Sequence, residues 1–201
     1  MSLTGVVLGH SFVYGLAQTV HRSLDEDFWP SQVAYHFRVS HHYDNVHLIG
    51  QRGAKVGDIM PLYRSANLSS ADCVLLDVGS NDLASGESPL NIAAGILHAA
   101  RRILKDHHVK HVAVCSILYR ERAIGQMSAA NFQDLVHKTN TYLRTFCSQD
   151  NSIHYHTHRG FWTEAVKTWS KDAIHPNSTK GREKYKKSLR RALLHLSAKI
   201  N

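Results

Sequence analysis

The feature that most constrains the fold of this chain is an alternation of short apolar segments with longer segments of helical periodicity. The clearest apolar segment, Ala71–Val78, is apolar on both faces, which is typical of a central strand in a parallel sheet. Four further segments predict strands: Thr4–Gly9, Asn45–Ile49, His111–Ile117 and Ser152–Tyr155. The alternating residues of Val33–Val39 fit either a strand or an extended loop.

The segments between these strands carry apolar residues at helical spacing. Predicted helices run from Ser11 to about Leu24, over Val56–Arg64, over Pro89–Lys105, from Ser128 to about Cys147, and onward from a cap at Asn177 or Ser178. Strands and helices that alternate in this way favour right-handed crossovers, so we expect an α/β fold with a five-stranded parallel sheet. The chain has 201 residues, of which 43% are hydrophobic, and we expect residues 1–201 to form one domain.

The charge of the chain is basic and unevenly distributed. The formal net charge is +8, which favours a polyanionic partner such as an anionic membrane surface or RNA. Seven basic residues of the predicted last helix accompany the single acid Glu183: Lys180, Arg182, Lys184, Lys186, Lys187, Arg190 and Arg191. This run is typical either of a surface that binds such a partner or of the solvated face of a helix.

The cysteines predict a reducing compartment. Cys73, Cys115 and Cys147 form no C-x-x-C spacing, and the first two lie in strand-like segments, where a buried free thiol is usual. The first twenty residues lack a signal-peptide pattern, and no apolar segment nears the length of a membrane span. We therefore expect an intracellular, cytoplasmic location.

Residues that follow the predicted strands suggest a functional site. Gly9-His10-Ser11 follows the first strand, Gly50-Gln51-Arg52-Gly53 the second and Gly79-Ser80-Asn81-Asp82 the third, while Asp172 and His175 come after the fifth. In parallel α/β sheets, ligands bind beyond the carboxyl ends of the strands. These side chains are therefore expected to share one edge of the sheet.

The residue types at this edge suit acyl transfer. Ser11 at a helix N-terminus is a candidate nucleophile, His175 its general base, and Asp172 the group that orients His175. The candidate oxyanion donors are the backbone amides of Ser11 and Gly53 and the side-chain amide of Asn81. Taken alone, the Asp172–His175 spacing is also typical of a surface loop with an Asx turn.

The four segments resemble the four sequence blocks of the SGNH hydrolases, also called GDSL-type esterases. The resemblance covers Gly9 to His175 and implies a flavodoxin-like three-layer α/β/α sandwich. It also implies the same roles for the five residues, and an esterase that acts without a cofactor on a small ester or a lipid. The chain departs from the pattern at His10, where the family usually has Asp, and this departure leaves the triad intact.

A narrower resemblance concerns the G-H-S-F opening, the D-x-I-H-x-N segment and the basic last helix. Together they look most like the esterase domains encoded in the first open reading frame of LINE-type retrotransposons. This resemblance implies a domain excised from a larger, RNA-associated protein. The alternative function is a module that binds anionic lipid or RNA and whose esterase activity is incidental or lost.

The sixteen histidines raise the alternative of a metal site. His154, His156 and His158 alternate, but their spacing is not a helix-borne zinc signature, and the other histidines are expected on the surface. Asn81 and Asp82 could be read as a magnesium pair, although no phosphate-binding glycine loop accompanies them. We predict no metal, and we place Trp162 and Trp169 in the core.

Overall fold

A six-stranded sheet forms the middle layer of the protein. The computed structural model describes residues 3–21, 33–35, 42–66, 71–122, 127–161, 169–170, 172, 174–177 and 180–200. The strands are β1 (Leu3–Gly9), β2 (Val33–Tyr35), β3 (Tyr43–Gly50), β4 (Cys73–Asp77), β5 (His111–Cys115) and β6 (Ile153–His156). Their order across the sheet is β2-β3-β1-β4-β5-β6.

The predicted five-stranded parallel sheet is confirmed, with one addition. β3, β1, β4, β5 and β6 are parallel, and their order is that of flavodoxin-like folds. Val33–Val39 was expected to be either a strand or an extended loop. Its first part is a strand, because β2 pairs antiparallel with β3 at the sheet edge. The rest of that segment, residues 36–39, lies outside the described residues.

Six helices connect or flank the strands in the described part of the chain. They are α1 (Ser11–His21), α2 (Ile59–Ser65, after a 3-10 turn at Val56–Asp58), α3 (Ser80–Ala84), α4 (Pro89–His107), α5 (Ala129–Cys147) and α6 (Lys180–Ile200). The Ser88 and Ser128 hydroxyls accept hydrogen bonds from the first turns of α4 and α5, which satisfies amides that a helix leaves unpaired. None of these helices is long and apolar enough to cross a bilayer.

Two apolar cores cover the two faces of the sheet, because alternate strand residues point in opposite directions. Val6 and Leu8 of β1 belong to the core under α2, α4 and α5, whereas Val7 belongs to the core under α1 and α6. The apolar stripe of α6 is also buried in this second core: Tyr185, Leu189, Leu193 and Leu196. The molecule is thus a three-layer α/β/α sandwich.

Two boundaries of the sequence prediction are corrected, and a third lies outside the described residues. α1 is described only to His21, and residues 22–24 lie outside the described part. β4 is shorter at both ends than the apolar segment Ala71–Val78. The segment from Gly79 was expected to be a loop, but α3 begins at Ser80, and the φ of +109° at Gly79 makes the sharp bend between strand and helix.

Candidate active site

A cavity of about 730 Å³ lies where residues that follow β1, β3, β4, β5 and β6 converge. Its lining includes every residue that the sequence singled out for catalysis: Ser11, Gly53, Asn81, Asp172 and His175. The edge of the sheet thus brings together side chains from segments far apart in the chain, in keeping with the usual position of ligands in parallel α/β sheets.

Ser11, His175 and Asp172 form a continuous hydrogen-bonded line. Ser11 Oγ lies 2.9 Å from His175 Nε2, and Asp172 Oδ2 lies 2.7 Å from His175 Nδ1. A carboxylate only accepts hydrogen bonds, so Nδ1 carries the proton when the imidazole is neutral and Nε2 is left to accept from the Ser11 hydroxyl. This tautomer is the one that a general base for Ser11 requires.

Asp172 is held in place by three further hydrogen bonds to its other oxygen. Asp172 Oδ1 accepts from Ser170 Oγ at 2.5 Å and from the backbone amides of Ile174 and His175 at 2.9 Å. Partial burial alone would raise the pKa of this carboxyl, but the hydrogen bonds from His175, Ser170 and Ile174 outweigh it and lower the pKa below its usual value. Asp172 therefore makes the Asx-type turn and orients His175 at the same time.

Gly53 lies on the cavity wall in a left-handed conformation. Its φ is +73°, which an L-residue with a side chain adopts only at a cost. Apart from its two chain neighbours, no atom of the described residues lies within 4 Å of the position that a Cβ would take. The backbone conformation thus requires glycine, and the space beside it stays open.

The Asn81 side chain is oriented by two neighbours. Asn81 Nδ2 donates to the Ala54 carbonyl at 2.9 Å, and Asn81 Oδ1 accepts from Arg120 Nη2 at 3.0 Å. Because a guanidinium only donates, the amide oxygen must face Arg120 and the NH₂ group must face Ala54. Nδ2 has a second hydrogen, which leaves a donor for a negatively charged oxygen.

Sequence reasoning missed Arg120. Its side chain is 2% exposed, lines the cavity and also donates to Ser80 Oγ at 2.5 Å. Among the described residues, its Nε and Nη1 have no hydrogen-bond partner. Burial lowers the pKa of Arg120 to about 10, although the nearby Asp172 raises it. This pKa is still well above 7, so the guanidinium remains a cation at neutral pH. The only sequence signal was a basic residue soon after a predicted strand.

His10, the departure from the family pattern, faces a buried carboxylate. His10 Nε2 lies 3.7 Å from Asp77 Oδ1, and Asp77 also accepts a hydrogen bond from the Tyr185 hydroxyl. Burial lowers the pKa of His10 to about 4, although Asp77 opposes the shift. The residue before Ser11 is therefore neutral at pH 7, and His10 Nδ1 accepts from the Phe12 amide at 3.4 Å.

The basic residues of α6 occupy two environments. Lys180, Lys187, Arg190 and Arg191 are exposed, whereas Arg182, Lys184 and Lys186 are half-buried. Lys184 donates to the Gly160 carbonyl, and Arg182 lines the active-site cavity. The seven residues therefore do not form one uniform surface.

The expectation of surface histidines holds for His98, His108, His137 and His195, which are exposed, whereas others are partly buried. His111 Nδ1 lies 3.0 Å from His154 Nε2, and His107 packs edge-on against Tyr63, so neither is a simple surface residue. His156 Nε2 lies 3.0 Å from Ser188 Oγ. Within the described ranges, no group of three or more potential ligands is placed to hold a metal ion.

The tryptophans divide between the described and undescribed parts of the chain. Trp169 is 7% exposed and belongs to the core under α1 and α6, as predicted. Trp162 lies outside the described residues.

Several solved structures have a fold similar to that of this chain. The chain resembles a GDSL-like lipase from Bacteroides thetaiotaomicron VPI-5482, with a TM-score of 0.67, 15% identity, and 96% of this chain and 88% of that chain covered. A mutant acetyl esterase with an acetate ion has a TM-score of 0.63, 15% identity, and 99% and 100% coverage. A carbohydrate esterase of family 3 from Talaromyces cellulolyticus has a TM-score of 0.63, 17% identity, and 100% coverage of both chains.

These identities show the shared fold. No curated protein sequence matches the chain. The GDSL-like Lipase/Acylhydrolase family, however, matches residues 7–179, a span that begins within β1, ends just before α6 and contains all five candidate site residues. The chain therefore belongs to the GDSL-like lipase/acylhydrolase family.

Proposed function

We propose that this protein is a serine esterase that hydrolyses short acyl esters through a covalent acyl-enzyme. The observation that carries the proposal is the pair of hydrogen bonds on opposite nitrogens of His175, 2.9 Å to Ser11 Oγ and 2.7 Å to Asp172 Oδ2. A nucleophile, a base and a group that orients the base are thereby aligned. No metal or cofactor is needed for this chemistry.

In the first half of the reaction, Ser11 Oγ attacks the ester carbonyl carbon while His175 Nε2 takes the hydroxyl proton. The carbonyl π electrons move to the oxygen, and the negative charge is stabilised by the Ser11 and Gly53 amides and by Asn81 Nδ2. The tetrahedral species then expels the alcohol, which leaves with the proton from His175. Asp172 stabilises the imidazolium during this step.

In the second half, water attacks the acyl group on Ser11. His175 Nε2 takes a proton from the water, the same donors stabilise the oxyanion, and the bond from the acyl carbon to Ser11 Oγ breaks. The proton returns to Ser11 Oγ and the carboxylic acid is released. The position of Ser11 at the start of α1 supports both halves, since a helix N-terminus favours nearby negative charge.

Hydrolysis of an aryl acetate by the wild type and by Ser11→Ala tests this proposal. We expect kcat/KM to fall by at least about a thousandfold in Ser11→Ala, because a triad nucleophile has no substitute. Ser65→Ala, an exposed hydroxyl on α2, is the matched control and should keep the wild-type rate. Equal rates in the wild type and Ser11→Ala would remove the proposal. A serine-reactive phosphonate should label Ser11.

The proposed acyl group is short, of the acetyl type, and a lysophospholipase-like activity on lipid esters is the second substrate class. The acetyl esterase and the carbohydrate esterase among the similar folds support the first class. We keep the intracellular, cytoplasmic location as a proposal, supported by three cysteines that are all free and buried.

A second candidate function is the binding of a phosphodiester polyanion, an anionic membrane or RNA, by the basic surface of α6. Lys180, Lys187, Arg190 and Arg191 are exposed, while the opposite side of the helix is packed into the core. With the narrower resemblance to retrotransposon-encoded esterase domains, this surface supports a role inside a larger RNA-associated protein. The two functions are compatible, since a basic surface concentrates an enzyme where its substrate is.

A further inference from the structure

The active-site cavity carries an excess of positive charge that ester hydrolysis does not require. Three arginines line it, Arg52, Arg120 and Arg182, and the only carboxylate among its described lining residues is Asp172. Acetyl transfer to Ser11 creates one transient negative charge, which amide donors already stabilise. Arg120 orients Asn81, but this chemistry gives no role to Arg52 or Arg182.

We propose that the ester hydrolysed here carries a phosphate monoester on its alcohol portion. This inference rests on the proposed esterase function and names its substrate class. Among the described lining residues, three cations and one carboxylate give a net charge of +2 while His175 is neutral. A phosphate monoester carries close to two negative charges at pH 7, so its charge matches that surplus, whereas a neutral ester or a single carboxylate does not.

The three arginines lie in different settings around the cavity. Arg120 is buried and bonded to Ser80 and Asn81, so it acts on a substrate through its field. Arg52 is exposed, directly precedes Gly53, and has its guanidinium 5.0 Å from the centre of the Tyr14 ring. Arg182 is half-buried in the first turn of α6. Arg52 and Arg182 are therefore the candidates for direct contact with a phosphate.

The alcohol is the portion that must carry the charge. The acyl group in the proposed reaction is short and is bound to Ser11, so we expect the alcohol to be the portion that extends to Arg52 or Arg182. Arginine is suited to this contact because its planar guanidinium pairs with phosphate through two parallel hydrogen bonds.

A matched pair of esters tests the inference: 1-acetylglycerol 3-phosphate and 1-acetylglycerol. The two share the same acetyl ester and differ in the phosphate, and acetate release can be followed by proton NMR. We expect kcat/KM of the wild type to be higher for the phosphorylated ester by on the order of tenfold or more, the scale of one good charge-assisted contact. The preference should shrink in 1 M salt, because the Debye length is then only about 3 Å and charges farther apart are largely screened from each other.

Substitutions at Arg52 and Arg182 test whether these two residues cause the preference for the phosphorylated ester. Arg52→Gln and Arg182→Gln should each lower the ratio of the two kcat/KM values, and the double variant should bring it close to one. Arg64→Gln removes the same charge from an exposed position on α2 and should keep the wild-type ratio. Arg120 is left unchanged, because it also holds Asn81.

The outcomes separate this inference from the esterase proposal. If the wild type hydrolyses both glycerol esters equally well, or hydrolyses an aryl acetate but not the phosphorylated ester, the phosphate inference is wrong and the esterase stands. A preference that survives the double variant would also overturn it. If no acetyl ester is hydrolysed, the esterase proposal itself fails.

Discussion

Asn81 is the residue whose orientation depends most on its surroundings. Its amide would serve an oxyanion only with the NH₂ group turned into the cavity, and the two ends of an amide are nearly equal in shape. The Ala54 carbonyl and the Arg120 guanidinium decide between them, since one only accepts and the other only donates. Arg120 is thus a positioning residue that acts through Asn81.

This positioning role predicts a loss in kcat for Arg120→Met with little change in KM for a neutral aryl acetate. We expect a decrease of about tenfold to a hundredfold, because a misoriented oxyanion donor costs on the order of 1–3 kcal/mol. Arg120→Lys, which retains a donor, should recover part of the rate. Steady-state kinetics measure the effect, and thermal unfolding checks that the variants are folded.

A double-mutant cycle separates positioning from a general structural role. In an Asn81→Ala background, Arg120→Met should cost little further, since coupled residues are not additive. If the decrease in kcat is as large with Asn81 absent as with it present, Arg120 does not act through Asn81.

At the level of single residues, sequence reasoning identified groups but not their contacts. Asp172 and His175 stand three positions apart, so the chain itself makes their hydrogen bond accessible. Ser11 and His175 are 164 positions apart, and only the fold brings them together. Arg120 was missed because a lone arginine after a strand carries no pattern.

Among the elements, α6 differs most between its two sides. Tyr185 and Leu189 are buried in the core, whereas Lys187 and Arg191 are exposed. Arg182, in the first turn of the same helix, reaches the active-site cavity. One helix thus packs on the sheet, lines the candidate active site and carries the exposed basic residues.

If the basic surface of α6 binds a polyanion, Lys187→Glu with Arg191→Glu should weaken that binding and flatten its dependence on salt. Each lost phosphate contact should reduce the slope of log K against log salt by about 0.7 for single-stranded RNA. Binding to anionic vesicles and to RNA, measured over a salt series, forms the two arms. The matched control is Lys105→Glu with Lys138→Glu, which reverses two exposed charges on α4 and α5. Binding that does not respond to salt would contradict the prediction.

The long elements were the easiest to predict. Apolar residues at helical spacing indicated α4 from Pro89, and the structure adds Ser88 as its cap. The five-residue helix α3 was missed because it is too short to show a period, and its position depends on the bend at Gly79. The antiparallel β2 was ambiguous in sequence because a strand at the edge of a sheet has only one partner.

Across the whole molecule, buried imidazoles link stability to pH. Burial lowers the pKa values of His10, His154 and His156 from 6.5 to about 4. The folded protein keeps these rings neutral, whereas the unfolded chain binds protons below about pH 6.5. The unfolded state therefore gains protons first as the pH falls, and the free energy of unfolding decreases between about pH 6.5 and pH 4.

We expect urea unfolding at pH 5 to show a free energy of unfolding lower than at pH 7, with roughly 1–2 kcal/mol from the fully buried His10 alone. His156→Gln should make the dependence shallower, because one of the titrating groups is gone. His137→Gln, on the exposed side of α5, should leave the dependence unchanged. Equal unfolding free energies at the two pH values would contradict this account.

The sequence by itself determined the α/β class and the placement of four polar segments at strand ends. Local periodicity is visible in short stretches of chain, and the geometry of parallel sheets then brings the strand ends to one edge. The sequence therefore sufficed to select Ser11, Gly53, Asn81, Asp172 and His175 as candidates. Only the tertiary structure decided the tautomer of His175, the orientation of Asn81, the neutral state of His10 and the surplus charge of the cavity. Each of these depends on distances between residues remote in sequence and on burial, which no local pattern encodes.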